Sequence, residues 1–376
     1  MTGVRGGREG ELAAAYQRAR PRLLRLAYAT LGSRTEAEDV VSDCWLRLAA
    51  ADAREPVRDV EGWAVTAVAR AALDTLRSAR LRRERYVGPW LPEPVVEFAA
   101  DDPDPADRVS LDDTVSWALL VVLETLTPAE RTSWVLHDLF GLPFAGVADA
   151  VGRTPAAVRQ LAARARAHVH AAAPRVAVDR DEHRAAVVRF LNATRGGDLR
   201  QLLRALDPAA VLTTDGGGAV TAARRPVVGA DRIARFLIGV AAVAAQSPQG
   251  RAQLVSVNGA PGLAVVIGDQ VDSVVALTVR DSRIVRVDII RAPEKVRAAT
   301  SALMGERPRR PVDDRLLRLS VGCVDGSQYC GDGAGDGTNS CLVGDQPVSV
   351  DGVAVEGHMR AGLRQHACLD VPEHGG

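Results

Sequence analysis

The chain has 376 residues, of which 47% are hydrophobic and 25% are charged, and this composition is typical of folded soluble proteins. The length favours two to four domains, and the composition excludes disorder over the whole chain. The 47 basic and 47 acidic side chains cancel, which argues against a surface that attracts nucleic acid throughout. No stretch reaches the roughly 18 to 20 apolar residues of a membrane span, and residues 1–20 lack a signal-peptide core, so we expect a cytoplasmic protein without membrane contact.

Residues 1–94 are predicted to form a helical domain. Leucines at helical spacing predict a first helix that ends at Gly32, and Ser33 followed by Glu36 is typical of the capped start of a second helix. A third helix is expected to follow residue 59, and its end carries six arginines against two acids between residues 70 and 85. Such charge can neutralise nucleic-acid phosphates, although some of these arginines could instead pair with nearby acids.

Residues 95–118 are predicted to form an acidic linker, with seven acids and one arginine between residues 95 and 114. A second helical domain is predicted over residues 119–175. One of its helices starts with a capping box of Thr127, Pro128 and Glu130, and its last two helices meet at Gly152 in a helix-turn-helix arrangement. From residue 153 to residue 175 there are five arginines and no acid, so the neutral total averages over segments of opposite charge.

Residues 176–300 have the pattern of an α+β domain. Two helices precede a strand at residues 210–214, and Asp215 with the three following glycines predicts a turn. A helix near residues 229–246 leads to four strands, with hairpin turns predicted at Asn258 and Asp281. This order predicts an antiparallel meander whose sheet curls around helices.

The tail, residues 301–376, is rich in glycine and is predicted to be poorly ordered. It holds four of the five cysteines, Cys323, Cys330, Cys341 and Cys368, without the closely spaced pairs of structural zinc sites. Its glycine-aspartate stretch lacks the ligand register of a calcium loop. We therefore expect no metal and no cofactor, with a metal or redox site at these cysteines as the alternative.

Several motifs carry a family resemblance. The segment Ala37–Leu48 resembles region 2 of extracytoplasmic-function (ECF) sigma factors of the sigma-70 family, and residues 152–161 (GRTPAAVRQL) resemble the helix-turn-helix of their region 4. Residues 86–94 (YVGPWLPEP) resemble the signature of a SigJ-like subgroup that carries a C-terminal SnoaL-like domain. Asp215–Gly218 matches a second signature, with Ala219 where the subgroup has Lys, and residues 292–296 (APEKV) resemble a third, Asn-Pro-Asp-Lys-Leu.

The resemblance implies a multidomain chain with two all-α sigma domains, a region 2 bundle and a region 4 helix-turn-helix, then an α+β SnoaL-like cone and the tail. It implies a non-enzymatic factor that binds the beta-prime and beta subunits of core RNA polymerase and directs initiation at double-stranded promoter DNA. The alternative is a ligand-sensing helix-turn-helix regulator that acts without core polymerase.

The implied contacts fall on three surfaces. For core polymerase they are Asp39, Val40, Asp43, Trp45 and Leu46, acids and a large aromatic that suit a partner helix, although Val40 and Trp45 could simply be core residues. For the −10 element they are Trp63, Arg70, Arg77, Arg80, Arg82 and Arg83. For the −35 element they are Arg153, Thr154, Ala156, Ala157, Arg159, Gln160, Arg164 and Arg166. Arg159 and Gln160 can reach base edges and the other arginines suit phosphates, but the sequence does not decide which arginine reads a base.

Two hypotheses remain for the α+β domain. In the first it regulates the sigma domains in cis by docking on the Trp90–Pro94 linker, which runs directly into the acidic linker, with the contacts formed by Trp90, Pro92, Glu93, Asp215, Gly216, Gly217 and Gly218. In the second it is catalytic, since this fold also hosts enzymes, and its acid or base would be His183 or Asp288. A small ligand or a protein regulator of the domain is a further possible partner.

Overall fold

We analysed a computed structural model of the chain. The structure describes residues 2–83, 88–98, 115–172, 178–244 and 250–305, with the side chains of residues 2–7, 81–83 and 304–305 left out. The predictions for Tyr86 and Val87, for most of the acidic linker, and for the tail from residue 306 lie outside the described residues, as do the side chains of Arg82 and Arg83.

The N-terminal domain consists of three helices: α1 (Thr2–Leu31), α2 (Arg34–Asp52) and α3 (Val60–Arg83). The first helix ends at Gly32, whose φ of 71° is the left-handed conformation that glycine adopts readily. The Ser33 side chain accepts the Glu36 backbone N–H, as the capping pattern predicts. Leucines such as Leu23, Leu26 and Leu48 are fully buried between the three helices.

The second helical domain contains α4 (Trp117–Leu123), α5 (Pro128–Trp134), a π-helical turn (Val135–Leu139), α6 (Phe144–Val151) and α7 (Pro155–Ala172). The predicted capping box is present, with Thr127 and Glu130 bonding each other's backbone N–H groups. The α6–α7 turn passes through Gly152 at a φ of 70°, so the predicted helix-turn-helix is confirmed. One hydrophobic core runs through both helical domains.

The α+β domain begins with α8 (Arg180–Arg195) and α9 (Leu199–Ala205). It continues with β2 (Leu206–Asp215), β3 (Val227–Val228), α10 (Ala230–Ala244), β4 (Gly250–Val257), β5 (Ala260–Ile267), β6 (Gln270–Arg280), β7 (Arg283–Ile290) and α11 (Pro293–Gly305). Both predicted hairpin turns form, with Asn258 and Asp281 at a φ of 49°.

The sheet differs from a pure meander in two pairings. With β1 at Val96–Phe98, the strand order is β1-β4-β5-β6-β7-β2-β3. Strands β4 to β7 are antiparallel as predicted, but β2 pairs parallel to β7. The edge strand β1 (Val96–Phe98) comes from the segment predicted to be a solvated linker, and it pairs antiparallel with β4. Three residues are too short a strand to stand out in an acidic sequence.

The two faces of the sheet bury different partners. Val287 and Ile289 of β7 pack on the side of α8, α9 and α10, within a core of aliphatic side chains and Phe190. Ile290 packs on the opposite side, with Leu91, Trp117 and residues of α11. Since side chains alternate along a strand, this second face places the α+β domain against the linker and the start of the second helical domain.

Candidate polymerase and promoter surfaces and their junction with the α+β domain

The predicted polymerase contacts divide between the surface and the core. Asp39 and Asp43 are exposed on α2, and Leu46 is 66% exposed. Val40 is buried in the helical core, and half-buried Trp45 packs its ring 5.4 Å from that of Tyr16. The exposed part of α2 is thus an apolar side chain flanked by acids, while Val40 serves packing.

The predicted −10 residues lie along α3. Half-buried Trp63 packs against the helical core, and exposed Arg77 pairs with Asp74 one turn earlier at 3.3 Å. Arg70 donates from Nε and Nη2 to the carbonyl oxygen of Asp149, at 3.1 and 3.0 Å. A guanidinium suits this place because the carbonyls at a helix end lack intrahelical partners, and Asp149 lies in the last turn of α6. Arg80 is exposed.

The predicted −35 residues lie at and around the start of α7. Thr154 caps the helix by accepting the Ala157 backbone N–H at 3.2 Å, which is a structural role. Ala156, Arg159 and Gln160 are exposed beside it, as is Arg153 in the preceding turn. Further along, Arg164 lies 3.5 Å from a Glu130 oxygen and Arg166 donates to Asp138 at 2.6 Å, so both already have carboxylate partners.

Residues predicted to bind different promoter elements line one cavity. This open space of about 690 Å³ is lined by Arg70 of α3 and by Ala148, Asp149, Gly152, Arg153, Thr154 and Ala157 of the helix-turn-helix. Arg70 of the predicted −10 set thus shares this space with Arg153, Thr154 and Ala157 of the predicted −35 set.

The linker is held by a buried ion pair of the α+β domain. Asp215 accepts the Leu91 backbone N–H at 2.8 Å and the Lys295 ammonium at 2.6 Å. Lys295 also donates to the Leu91 carbonyl at 2.5 Å, and its Nζ lies 3.2 Å from the centroid of the Trp90 ring. Both charged side chains are at most 5% exposed, so the pair is well shielded from water.

The glycines after Asp215 contact their own domain. A Cβ at Gly217 would lie 2.8 Å from a Glu294 oxygen, and one at Gly216 would lie 2.3 Å from the Val220 carbonyl oxygen. The close approach that the glycine run predicts is therefore present, but it serves packing between β2 and the start of α11. Asp215 is the member of this motif that bonds the linker.

Glu93 connects the linker to α2. Its carboxylate accepts the hydroxyl of Ser33 at 2.8 Å and both the backbone N–H and the hydroxyl of Thr35, at 3.3 and 3.2 Å. Its backbone N–H donates to the Gly32 carbonyl at 2.7 Å. A carboxylate is favoured here because the first N–H groups of a helix are unpaired and the helix dipole is positive at that end. The neighbouring Pro92 is buried.

Asn258 joins three segments at the β4–β5 turn. Its side chain is 3% exposed, accepts the Val95 backbone N–H at 3.1 Å and donates to the Tyr28 hydroxyl at 2.8 Å. The same Nδ2 lies 3.5 Å from the carbonyl oxygen of Val115, just before α4. One amide of the α+β domain thus contacts α1, the linker and the start of the second helical domain.

A second contact ties α4 to the sheet. The Trp117 indole N–H donates to Asp288 at 2.9 Å, and the Arg286 guanidinium donates to the same carboxylate oxygen at 2.7 Å. Burial raises the pKa of Asp288, and the charge of Arg286 and the indole bond oppose this rise. Asp288 faces away from the enclosed core of the cone, since its neighbours Val287 and Ile289 point into that core.

The other acid–base candidate lies on α8. Burial lowers the pKa of His183, while nearby backbone groups of Leu277 and Pro261 oppose the shift.

Among the described residues, no three His, Cys, Asp or Glu side chains are grouped to hold a metal ion. None of the helices in this part of the chain has the length and apolar character of a membrane span.

A three-helix domain joined to a helix-turn-helix domain, both with exposed arginines, is the arrangement that the sequence motifs predict for a sigma factor of the sigma-70 type. The family models for Sigma-70 region 2 and Sigma-70 region 4 match residues 15–82 and 116–169. The chain is 37% identical to the ECF RNA polymerase sigma factor SigJ of Mycobacterium tuberculosis, over 79% of this chain and 96% of that protein. The chain belongs to the ECF sigma factors, and the predicted family is confirmed.

Two further comparisons agree. The "Probable ECF RNA polymerase sigma factor SigI" of M. tuberculosis is 33% identical over 78% of this chain and 98% of that protein. The crystal structure of M. tuberculosis SigJ superposes with a TM-score of 0.61 and 34% identity, covering 75% of this chain and 97% of that one. These matches include the α+β domain and confirm the predicted fold class and the role in transcription initiation.

The sequence analysis did not identify the junction contacts of four residues, which are Tyr28, Trp117, Asn258 and Lys295. Tyr28 and Trp117 look like ordinary core residues, and Asn258 before Gly259 indicates only a hairpin turn. Lys295 had a signal, because it is the single lysine of the sequence.

Proposed function

We propose that the α+β domain regulates this sigma factor in cis by holding the linker and both sigma domains in one compact arrangement. The observation that carries the proposal is the amide of Asn258, which bonds Tyr28 of α1 and the linker and approaches the residue before α4. The contact surfaces also remain proposals: α2 for core polymerase, α3 for the −10 element and α7 for the −35 element. The same holds for the domain boundaries given above.

Promoter geometry supports the restraint. The −10 and −35 elements lie about 25 base pairs apart, or about 85 Å along the duplex. Arg70 of α3 hydrogen-bonds α6 and shares a cavity with Arg153, so these two residues cannot occupy both elements in the described conformation. Regions 2 and 4 must separate on the promoter, and every bond that holds both domains to the α+β domain opposes that step.

The surroundings of the acid–base candidates favour regulation over catalysis. Asp288 bonds Trp117 and Arg286 on the face of the sheet that packs against the sigma domains, and its oxygen Oδ2 is occupied by both donors. On the other face of the sheet, the described hydrophobic core consists of aliphatic side chains and Phe190, and the polar contacts of His183 there are with backbone groups of Leu277 and Pro261. We propose that the domain is not an enzyme.

The test replaces Asn258 by glycine, which keeps the left-handed turn and removes the amide. Asp281→Gly is the matched control, because Asp281 has the same φ of 49° in the β6–β7 turn of the same domain. Dyes on α2 and α7 report the distance between the sigma domains, and transcription by reconstituted holoenzyme reports activity. We expect Asn258→Gly to increase both the distance and the transcription, with Asp281→Gly equal to the parent chain. An unchanged distance, or a fall in transcription, contradicts the restraint.

Dependence on core polymerase separates the two functions that the sequence left open. Purified chain mixed with core RNA polymerase is expected to form a stable complex and to transcribe selected promoters from a genomic pool. A chain that binds promoter DNA equally well with and without core polymerase, and supports no transcription, would instead fit the ligand-sensing regulator.

A further inference from the structure

The ring of Phe144, the first residue of α6, contacts an imidazole and a guanidinium. It stacks on the imidazole of His137 with ring centroids 3.7 Å apart and planes at 27°. That imidazole is itself fixed, because its Nδ1 lies 2.8 Å from the Leu142 carbonyl oxygen. The Arg159 guanidinium carbon lies 5.9 Å from the Phe144 centroid, within the range of a cation–π contact. Arg159 therefore has an aromatic support that is anchored in the helix-turn-helix.

This support differs from that of the neighbouring arginines. Arg166 and Arg164 are paired with carboxylates, and Arg70 donates two N–H groups to the end of α6. The hydrogen bonds of Arg166 and Arg70 occupy N–H donors of the guanidinium, and the ion pair directs that of Arg164 towards Glu130. An aromatic ring attracts a guanidinium through the ring face, so the contact leaves the N–H edge available. Within the described residues, Arg159 forms no ion pair.

The surroundings of Arg159 also suit a groove. Val158, Ala162, Ala165 and Val169 bury one face of α7, and Arg159 and Gln160 are exposed outside it. The exposed positions one turn to either side include Ala156 and Ala163, whose small side chains allow close approach of the helix to a base pair. Helix-turn-helix proteins insert the N-terminal part of this helix into the major groove.

We infer that Arg159 reads a guanine of the −35 element and that Phe144 positions it. Guanine presents two neighbouring acceptors, O6 and N7, in the major groove, and these match two N–H donors on one edge of a guanidinium. The inference rests on the proposed role of α7 and assigns one base-reading residue within it. Phe144 is a positioning residue, since it acts on the base only through Arg159.

The test uses holoenzyme assembled from the full-length chain and a pool of duplexes randomised over the −35 segment. The parent chain is expected to select guanine at one position. Arg159→Lys keeps the charge but loses the paired donors, so we expect discrimination at that position to fall about 5- to 150-fold. The slope of log affinity against log salt should stay the same, because the number of neutralised phosphates is unchanged.

Substitutions at Phe144 test the positioning role. Phe144→Leu is expected to reduce discrimination at the same position about 2- to 5-fold, and Phe144→Tyr, which keeps the ring, is expected to restore it. Affinity for duplexes without the selected sequence should be equal in all variants, which controls for misfolding of the helix-turn-helix.

Three results would overturn the inference. The first is that Arg159→Lys keeps the full preference for guanine. The second is that Arg159→Ala weakens the affinity for all sequences equally and makes the salt slope smaller by about 0.9, as for a phosphate contact. The third is that Phe144→Leu and Phe144→Tyr have the same discrimination at the selected position. If the parent holoenzyme selects no −35 sequence at all, the proposed role of α7 fails together with the inference. If it does select a sequence and one of the three results above is found, only the inference fails.

Discussion

Replacing Lys295 by methionine tests the buried ion pair that holds the linker. Methionine keeps most of the apolar stem, but it removes the ammonium from the buried carboxylate of Asp215, which still accepts the backbone N–H groups of Leu91 and Gly217. Removing one partner of a buried pair typically costs about 3–5 kcal/mol, because the remaining charge has lost its compensation. The double variant Asp215→Asn, Lys295→Met removes both charges and keeps an acceptor for the Leu91 N–H. We expect it to recover at least about 2 kcal/mol of this loss.

Hydrogen exchange measures this cost locally, which suits a chain of several domains. A loss of about 3–5 kcal/mol corresponds to about 150- to 5000-fold faster exchange in peptides of β2 and α11 whose opening requires the linker to leave. Arg235→Met is the matched control, because Arg235 forms an exposed pair with Asp231 on α10 of the same domain. That variant should change exchange by less than about fivefold.

Two results would refute this reasoning. If Lys295→Met speeds exchange no more than Arg235→Met does, the buried pair contributes little to the junction. If the double variant is as labile as Lys295→Met, the cost comes from lost packing of the lysine stem and not from an uncompensated charge.

Three further predictions concern stability. The pKa of His183 is lowered in the folded chain, so on acidification the unfolded chain binds the proton first, and stability should fall as the pH drops below 6.5. His183→Gln should therefore flatten the plot of melting temperature against pH in that range, whereas an unchanged slope would point to another group. Trp117→Phe should cost about 1–3 kcal/mol in the exchange of α4, since it removes the indole hydrogen bond to the buried Asp288 carboxyl, and equal protection would contradict this. Gly217→Ala should lower the melting temperature more than Gly197→Ala. Both glycines have φ near 60°, but only at Gly217 would the new Cβ meet a carboxylate oxygen, at 2.8 Å. Equal effects would mean that this carboxylate moves aside.

Local signals predicted the elements well. These signals act within a few residues, so they can be read from the local sequence. They are the capping pattern at Thr127 and Glu130, the helix ends at Gly32 and Gly152, and the turn at Asn258. The two sigma domains and the α+β class followed from the order of these elements and from the family motifs.

The junction could not be predicted in the same way. The bond from Asn258 to Tyr28 joins residues 230 positions apart, and the bond from Trp117 to Asp288 joins residues 171 apart. Neither side chain carries a local pattern that names its partner, because an asparagine in a turn and a tryptophan at a helix start have common local roles. The parallel pairing of β2 with β7 is likewise a choice between long-range partners.

Composition contained one useful exception. Lys295 is the only lysine among the 47 basic side chains, and the other 46 are arginines. An ammonium is a compact head with three donors, and here it meets Asp215, the Leu91 carbonyl and the face of Trp90 within a buried space. The planar, larger guanidinium would push the ring or the linker away. The exception therefore falls where packing around the linker favours the compact ammonium of a lysine.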